Sequence, residues 1–247
     1  MNVEYWNNIR KEYWRQNSIE FNIKRKLVRF NKKSKKLKKQ YRLANLLWND
    51  PVINGLMLSD GHLTKKNGIG NSRFQIDQVT RSEQFIYTIS KYFTEVGIEH
   101  YIYSKSGVIS LYSKMEKFWG LFRSRWYYNG KKTVPKDLVL SDKCIANWFM
   151  GDGYCSWEGN GNSYSSVGFC TNTFTFDEVN NLINLFKLLG YNGLRIDTIY
   201  RREPHEYKII IGWKNEVIRF FEMINPYVVD CFRYKIKMPI GGKIGRF

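Results

Sequence analysis

The sequence predicts an α+β fold made of two pseudo-symmetric α-β-β-α-β-β-α repeats, and three observations predict it. An apolar run ending in a small residue, an aspartate and a glycine occurs twice, as Ile53-Asn54-Gly55-Leu56-Met57-Leu58-Ser59-Asp60-Gly61 and Ile145-Ala146-Asn147-Trp148-Phe149-Met150-Gly151-Asp152-Gly153. After each run the same order of alternating and helical patterns recurs. Each half then closes on a lysine-proline segment, Lys131-Lys132-Thr133-Val134-Pro135 and Tyr234-Lys235-Ile236-Lys237-Met238-Pro239. The two aspartates are 152 − 60 = 92 residues apart, so each half supplies one carboxylate.

The elements follow in chain order. Residues 1–48 form a basic N-terminal extension. Within it Trp6, Ile9 and Tyr13 fall at helical spacing, a lysine-rich connector follows, and Leu43, Leu46 and Leu47 mark a lead-in helix. The first motif helix begins after Asn49 or Asp50 as cap, with Pro51 where a missing N–H costs nothing. The second has Ser141 or Asp142 at its capping position, and each ends at its Asp-Gly, where glycine can take a left-handed conformation.

Asn71 to Val79 alternates, with Phe74 and Ile76 on one face and Arg73, Gln75 and Asp77 on the other. In the second half Val167 and Phe169 oppose Ser166, Cys170 and Asn172. Each sheet thus has one core face and one polar face. The next helices carry Phe85, Ile86, Ile89, Phe93 and Val179, Leu182, Ile183, Phe186, and stop at Gly97 and Gly190. Further strands follow (Tyr101–Tyr103, Val108–Tyr112; Leu194–Tyr200, Tyr207–Trp213), then apolar helices at Phe118–Phe122 and Val217–Ile224. The repeats are expected to span 49–139 and 140–239, with a basic tail at 240–247.

The chain of 247 residues carries 40 basic and 22 acidic residues, a net charge of +18. Eleven of the cations lie between Lys24 and Arg42 with no acid among them. Such a field attracts a polyanion through counterion release, which points to nucleic acid. Cys144, Cys155, Cys170 and Cys231 form no C-x-x-C pair and suit a reducing compartment. Three isolated histidines, His62, His100 and His205, argue against a zinc site or a His-centred nuclease. No apolar stretch reaches the roughly 20 residues that span a bilayer, and no membrane partner is expected. Glu4, Glu12 and Glu20 argue against a transit peptide.

The two nonamers resemble the motif of LAGLIDADG homing endonucleases in their single-chain, two-repeat form, over about residues 50 to 239. Two departures stand out: Asn147 at the position of Gly55, and Leu58 and Met150 in place of an earlier aspartate. The resemblance implies a monomer whose sheets form a saddle over double-stranded DNA, with the motif helices packed together. Small residues one turn apart, Gly55 and Ser59 against Asn147 and Gly151, let two helix backbones approach closely.

Close approach brings Asp60 and Asp152 together, where both ionise cheaply only beside a cation. Magnesium, a hard ion with oxygen ligands, is the expected one, in two or more copies and with Mn2+ as a substitute. The family pattern adds the main-chain carbonyls of Ser59 and Gly151 as ligands. By family position Lys132 and Lys235 are the catalytic lysines, with Lys131 and Lys237 as neighbours in register. Asp77 resembles a water-positioning residue, and its counterpart is Cys170.

The polar strand faces supply the DNA-reading surface: Arg73, Gln75, Asp77, Gln78, Arg81, Asn172, Arg195, Arg201, Arg202 and Lys208. Strand ribbons fit the major groove, where Arg reads guanine and Gln or Asn reads adenine. Trp157 and Gly159-Asn160-Gly161-Asn162 read as a flexible loop. The expected activity is site-specific, metal-dependent double-strand cleavage. Two alternatives share the fold: an intron maturase binding RNA, and a DNA-binding protein whose nuclease has decayed. An intron or intein origin follows from the resemblance alone, and an organellar intron would place the protein in mitochondrion or chloroplast.

Overall fold

The computed structural model describes residues 25, 29, 31–65, 71–157, 164–200 and 205–236. The chain divides into two compact units, Met1–Asn45 and Leu46–Phe247. Residues 31–47, the described part of the lysine-rich connector together with the expected lead-in segment, form one continuous helix, α1. Its lysines, leucines and arginine are good helix formers, and no glycine or proline interrupts them. Trp6, Ile9 and Tyr13 lie outside the described residues.

The second unit carries the repeats. The first runs α2 (Pro51–Leu58), β1 (His62–Lys65), β2 (Ser72–Val79), α3 (Glu83–Glu95), β3 (His100–Lys105), β4 (Val108–Ser113) and α4 (Lys117–Trp126). A short hairpin, β5 (Tyr127–Tyr128) and β6 (Lys131–Lys132), follows it. The second runs α5 (Asp142–Asp152), β7 (Gly153–Trp157), β8 (Tyr164–Cys170), α6 (Phe176–Leu188), β9 (Leu194–Ile199), β10 (Glu206–Ile211) and α7 (Lys214–Ile224). The predicted order therefore appears in both halves. The sheets match as well: β1-β2-β4-β3 in one, β7-β8-β10-β9 in the other, with every pairing antiparallel.

Each sheet buries one face under its own helices. Phe74 stacks on Trp119 and meets Phe93 edge-on, both at 5.5 Å, and Phe169 lies 4.4 Å from Trp148 and 5.8 Å from Phe220. Such large aromatic side chains dominate the burial that holds a core together.

The helix caps follow the sequence. Asp50 accepts from Ile53 N at 2.8 Å, and Ser141 accepts from Cys144 N at 3.4 Å. Gly97 and Gly190 end α3 and α6 with φ of +76° and +82°. The motif glycines differ from expectation, since neither Gly61 nor Gly153 adopts a positive φ. They are small for lack of room: a Cβ on Gly61 would stand 2.6 Å from Leu56 O, and one on Gly153 would stand 2.1 Å from Phe149 Cδ2. Among the described residues no helix is long and apolar enough to cross a membrane, and the four cysteines are free.

Candidate active site

Helices α2 and α5 pack backbone to backbone. Residues 52–58 of α2 and 144–150 of α5 are all buried. A Cβ on Gly55 would lie 2.3 Å from Cys144 O and 2.7 Å from Asn147 Cβ. One turn on, a Cβ on Gly151 would lie 2.6 Å from Ser59 Cβ and 3.0 Å from Asp60 Oδ2. The small residues singled out in the motifs thus set the helix spacing, and the motif ends converge.

Two lysines close over those ends in the same way. Lys132 Nζ donates to Ser59 O and Gly61 O, each at 2.7 Å. Lys235 Nζ donates to Gly151 O at 3.0 Å and to Gly153 O and Met150 O at 2.8 Å each, with Phe149 O 3.3 Å away. Ser59 and Gly151 are equivalent, as are Gly61 and Gly153, so each repeat seats one ammonium in one carbonyl cradle. The C-terminal end of a helix favours such a cation. The delivery differs: Lys132 comes from the hairpin, whose turn uses Asn129 and Gly130 at φ of +48° and +80°. Lys235 comes from a 3-10 helix, Asp230–Lys235.

The charges are coupled across the pair. Burial, and then Asp60, raises the pKa of Asp152 to about 7, against the pull of Lys132 and Lys235. Burial lowers Lys132 to about 8, against the pull of both aspartates, and lowers Lys235 in the same sense. Asp60, Asp152, Lys132, Lys235, Ser59 and Gly151 therefore form one center.

Gln78 joins this center. Its Nε2 donates to Asp60 Oδ2 at 2.6 Å, which ties β2 to the motif carboxylate. Its parity with Phe74 and Ile76 on β2 was the available signal. Among the described residues the aligned position of the second repeat supplies no such donor to Asp152. The register pairs His62 with Gln75 and its equivalent Tyr154 with Gly168, which aligns Asp77 with Cys170 and Gln78 with Thr171. Thr171 is buried and donates to Tyr207 O at 2.6 Å. Cys170 pairs across the sheet with Lys208, which lies 5.4 Å from the Tyr154 ring.

The other nominated residues that the structure describes lie on the sheets and turns. Gln75 donates to Asp77 at 2.9 Å, and Arg73 lies 4.6 Å over the Tyr112 ring. Arg81 is exposed in the turn before α3, and Asn172 is exposed after β8. Arg195 pairs with Asp197 at 2.9 Å. Arg201, Arg202, Lys237 and the loop 159–162 lie outside the described residues, as does the side chain of Trp157.

Sequence reasoning missed a buried polar knot behind α2. The Arg125 side chain is 4% exposed and holds Asp137 at 3.0 Å, Trp48 O at 2.8 Å and the fully buried Asn54 Oδ1 at 3.0 Å. No local pattern announces it, because its partners are far apart in sequence.

Two like repeats, each with a motif helix, a four-stranded sheet and a lysine-filled cradle, define the class. Residues 51–193 match the model of the LAGLIDADG DNA endonuclease family, and the chain belongs to that family. It is 28% identical over 196 residues to the uncharacterized protein MJ1098 of Methanocaldococcus jannaschii, covering 75% of this chain and 72% of that one. It is 26% identical over 204 residues to the cytochrome b mRNA maturase bI2 of Saccharomyces cerevisiae, covering 75% of this chain and 46% of the maturase. The match thus spans about half the maturase's length. Its fold is that of the homing endonuclease I-WcaI bound to its DNA recognition sequence, with a TM-score of 0.63, 20% identity, and coverage of 78% of this chain and 87% of that one.

Proposed function

We propose that the chain is a site-specific endonuclease that hydrolyses one phosphodiester in each strand of duplex DNA, one cut at each motif aspartate. The observation that carries this reading is the duplicated cradle. Lys132 bridges Ser59 O and Gly61 O beside Asp60, and Lys235 bridges Gly151 O and Gly153 O beside Asp152.

The donors fit a hard divalent ion. Asp60 and Asp152 offer carboxylate oxygens, and the carbonyls of Ser59 and Gly151 each keep a second lone pair beyond the lysine bond. Among the described residues no three His, Cys, Asp or Glu gather into a metal cluster. Mg2+, with Mn2+ as substitute, would neutralise charge on the scissile phosphate when bound.

The chain's own groups do the rest. In hydrolysis the water oxygen bonds to phosphorus, the bond to the leaving oxygen breaks, and that oxygen gains a proton. Lys132, lowered to about 8, can hold the developing charge or give up a proton near neutrality. Gln78 fixes the orientation of the Asp60 carboxylate. Arg73, Gln75, Asp77, Arg195 and Lys208 line sheet faces suited to the major groove, and Arg81 and Asn172 sit at their ends. In this reading repeats at 49–139 and 140–239 each govern one half of the target.

The similarity to a maturase favours one second reading, RNA binding without cutting. Cleavage of a randomised DNA-site library in Mg2+, with the Asp60→Asn/Asp152→Asn double variant alongside, decides between them. Selective double-strand cutting by the native protein, lost in a variant that still binds, supports the nuclease. Unchanged cutting by the variant would remove the aspartates from the mechanism. Absence of cutting together with tight RNA binding would favour the maturase.

A further inference from the structure

Helices α3 and α6 hold equivalent places in the two repeats, and each reaches across to the other. Glu178, in the first turn of α6, accepts from Val134 N at 2.8 Å through Oε1. Val134 lies two residues beyond Lys132, in the first repeat. Gln84, in the first turn of α3, accepts from Cys231 N at 2.8 Å, and its Nε2 lies 3.4 Å from Asp230 Oδ2. Cys231 belongs to the 3-10 helix that carries Lys235, and next to Gln84 the Phe85 ring meets Phe232 edge-on at 5.2 Å.

We propose that Glu178 and Gln84 are positioning residues, each setting the lysine of the opposite repeat in its carbonyl cradle. The proposal rests on the assignment of one lysine to each cut. It adds that each cut depends on a helix of the other half.

Each lysine rides on a short element, and Lys235 is also tied within its own repeat, its carbonyl accepting from Cys155 Sγ at 2.8 Å. The hairpin that presents Lys132 has two residues per strand, too few to be stable by itself. Beyond it the chain has no regular structure until α5, and its nearest main-chain tether is Thr133 N to Trp126 O at 2.8 Å. The bond from Val134 to Glu178 supplies the second fixed point. Glu178 uses both of its oxygens. Oε2 closes the capping box with Thr175 N at 2.8 Å and Thr175 Oγ1 at 2.9 Å, which leaves Oε1 for the crossing. On the other side a six-residue 3-10 helix, poor in hydrogen-bond geometry, holds Lys235. Gln84 and Phe85 brace its start. Displacements of about 1 Å at a catalytic group cost on the order of a hundredfold in rate, so such braces act on chemistry before they act on folding.

The test measures nicking of each strand separately, on a cleavable duplex labelled at both ends, in Mg2+. Lys132→Met and Lys235→Met identify which strand each lysine serves. Glu178→Ala should slow the Lys132 strand selectively, on the order of tenfold, and Gln84→Ala should slow the Lys235 strand. Thr175→Ala, which damages the α6 cap and leaves the crossing bond, should show no strand preference. Equal slowing of both strands by Glu178→Ala, or a bias identical to that of Thr175→Ala, would overturn the positioning role. Lysine variants without strand preference would instead overturn the assignment of one lysine per cut, and the proposal with it.

Discussion

Gly151 lies flat against Ser59: a Cβ added to the glycine would fall 2.6 Å from both Cβ and Oγ of the serine. The contact sets the distance between two helices and, through them, between Asp60 and Asp152. Gly151→Ala should force the helices apart and cost about 1–3 kcal/mol, as overpacking does in a dense core. Cleavage should fall further than stability, because the carboxylates move with the helix ends. Urea denaturation beside cleavage rates checks this, and an unchanged rate would show that the spacing has slack.

Arg125 should behave as a structural residue. Arg125→Met leaves the buried Asn54 Oδ1 without its guanidinium donor and Trp48 O with only the Asn54 Nδ2 donor at 3.4 Å. A loss of about 3 kcal/mol is expected, in the range for unsatisfied buried polar groups. Because the residues share one network, adding Asn54→Ala should cost less than the sum of the single changes. Chemical denaturation of the three variants measures the coupling.

The pH dependence without divalent ions has a defined sign. Asp152 is raised from 3.8 to about 7, so its contribution to stability is fully present below about pH 3.8 and is lost as pH rises through 7. Lys132 is lowered from 10.5 to about 8, so its contribution is present above 10.5 and is lost as pH falls through 8. Both costs coincide between pH 7 and 8. In EDTA, Asp152→Asn should therefore raise Tm near pH 7.5 by on the order of 5 °C and change little at pH 4. Added Mg2+ should stabilise the native protein near pH 7.5 and leave the variant largely unaffected. Calorimetry across pH 4 to 9 gives the comparison.

Deleting residues 1–42 removes the eleven cations between Lys24 and Arg42. DNA binding should weaken, and the slope of log K against log salt should shrink by about 0.9 for each phosphate that the shortened protein no longer neutralises. An unchanged slope would show that this segment does not touch the backbone of the duplex.

Much of this was legible because the chain states it twice. The repeated Asp60 and Asp152 and the strand and helix order follow from comparing one half with the other, whereas Lys132 and Lys235 were implied by the family resemblance, with Lys131 and Lys237 as neighbours in register. What lay beyond the sequence depends on residues that meet only in the fold. Gln78 reads as one more polar strand residue until the register turns it toward Asp60. Glu178 announces its cap through the Thr175 spacing, but its second oxygen serves Val134, 44 positions away. Gly61 and Gly153 carry the usual mark of a left-handed helix end, yet crowding by Leu56 and Phe149 is what demands a glycine there. The lysine-rich stretch reads as a connector before a lead-in helix, but over residues 31–47 its residue types carry one helix through both.

The seam between α2 and α5 is matched large against small at both levels. Gly55 receives Asn147, its own counterpart, and Ser59 is received by Gly151. Two copies of the first repeat would set glycine against glycine at one level and serine against serine at the next, a void beside a clash. Two copies of the second would do the reverse with asparagine. The halves are thus chemically distinct as partners, each fitted to the other and ill fitted to itself. Co-expressed as separate polypeptides, they should sort into mixed pairs.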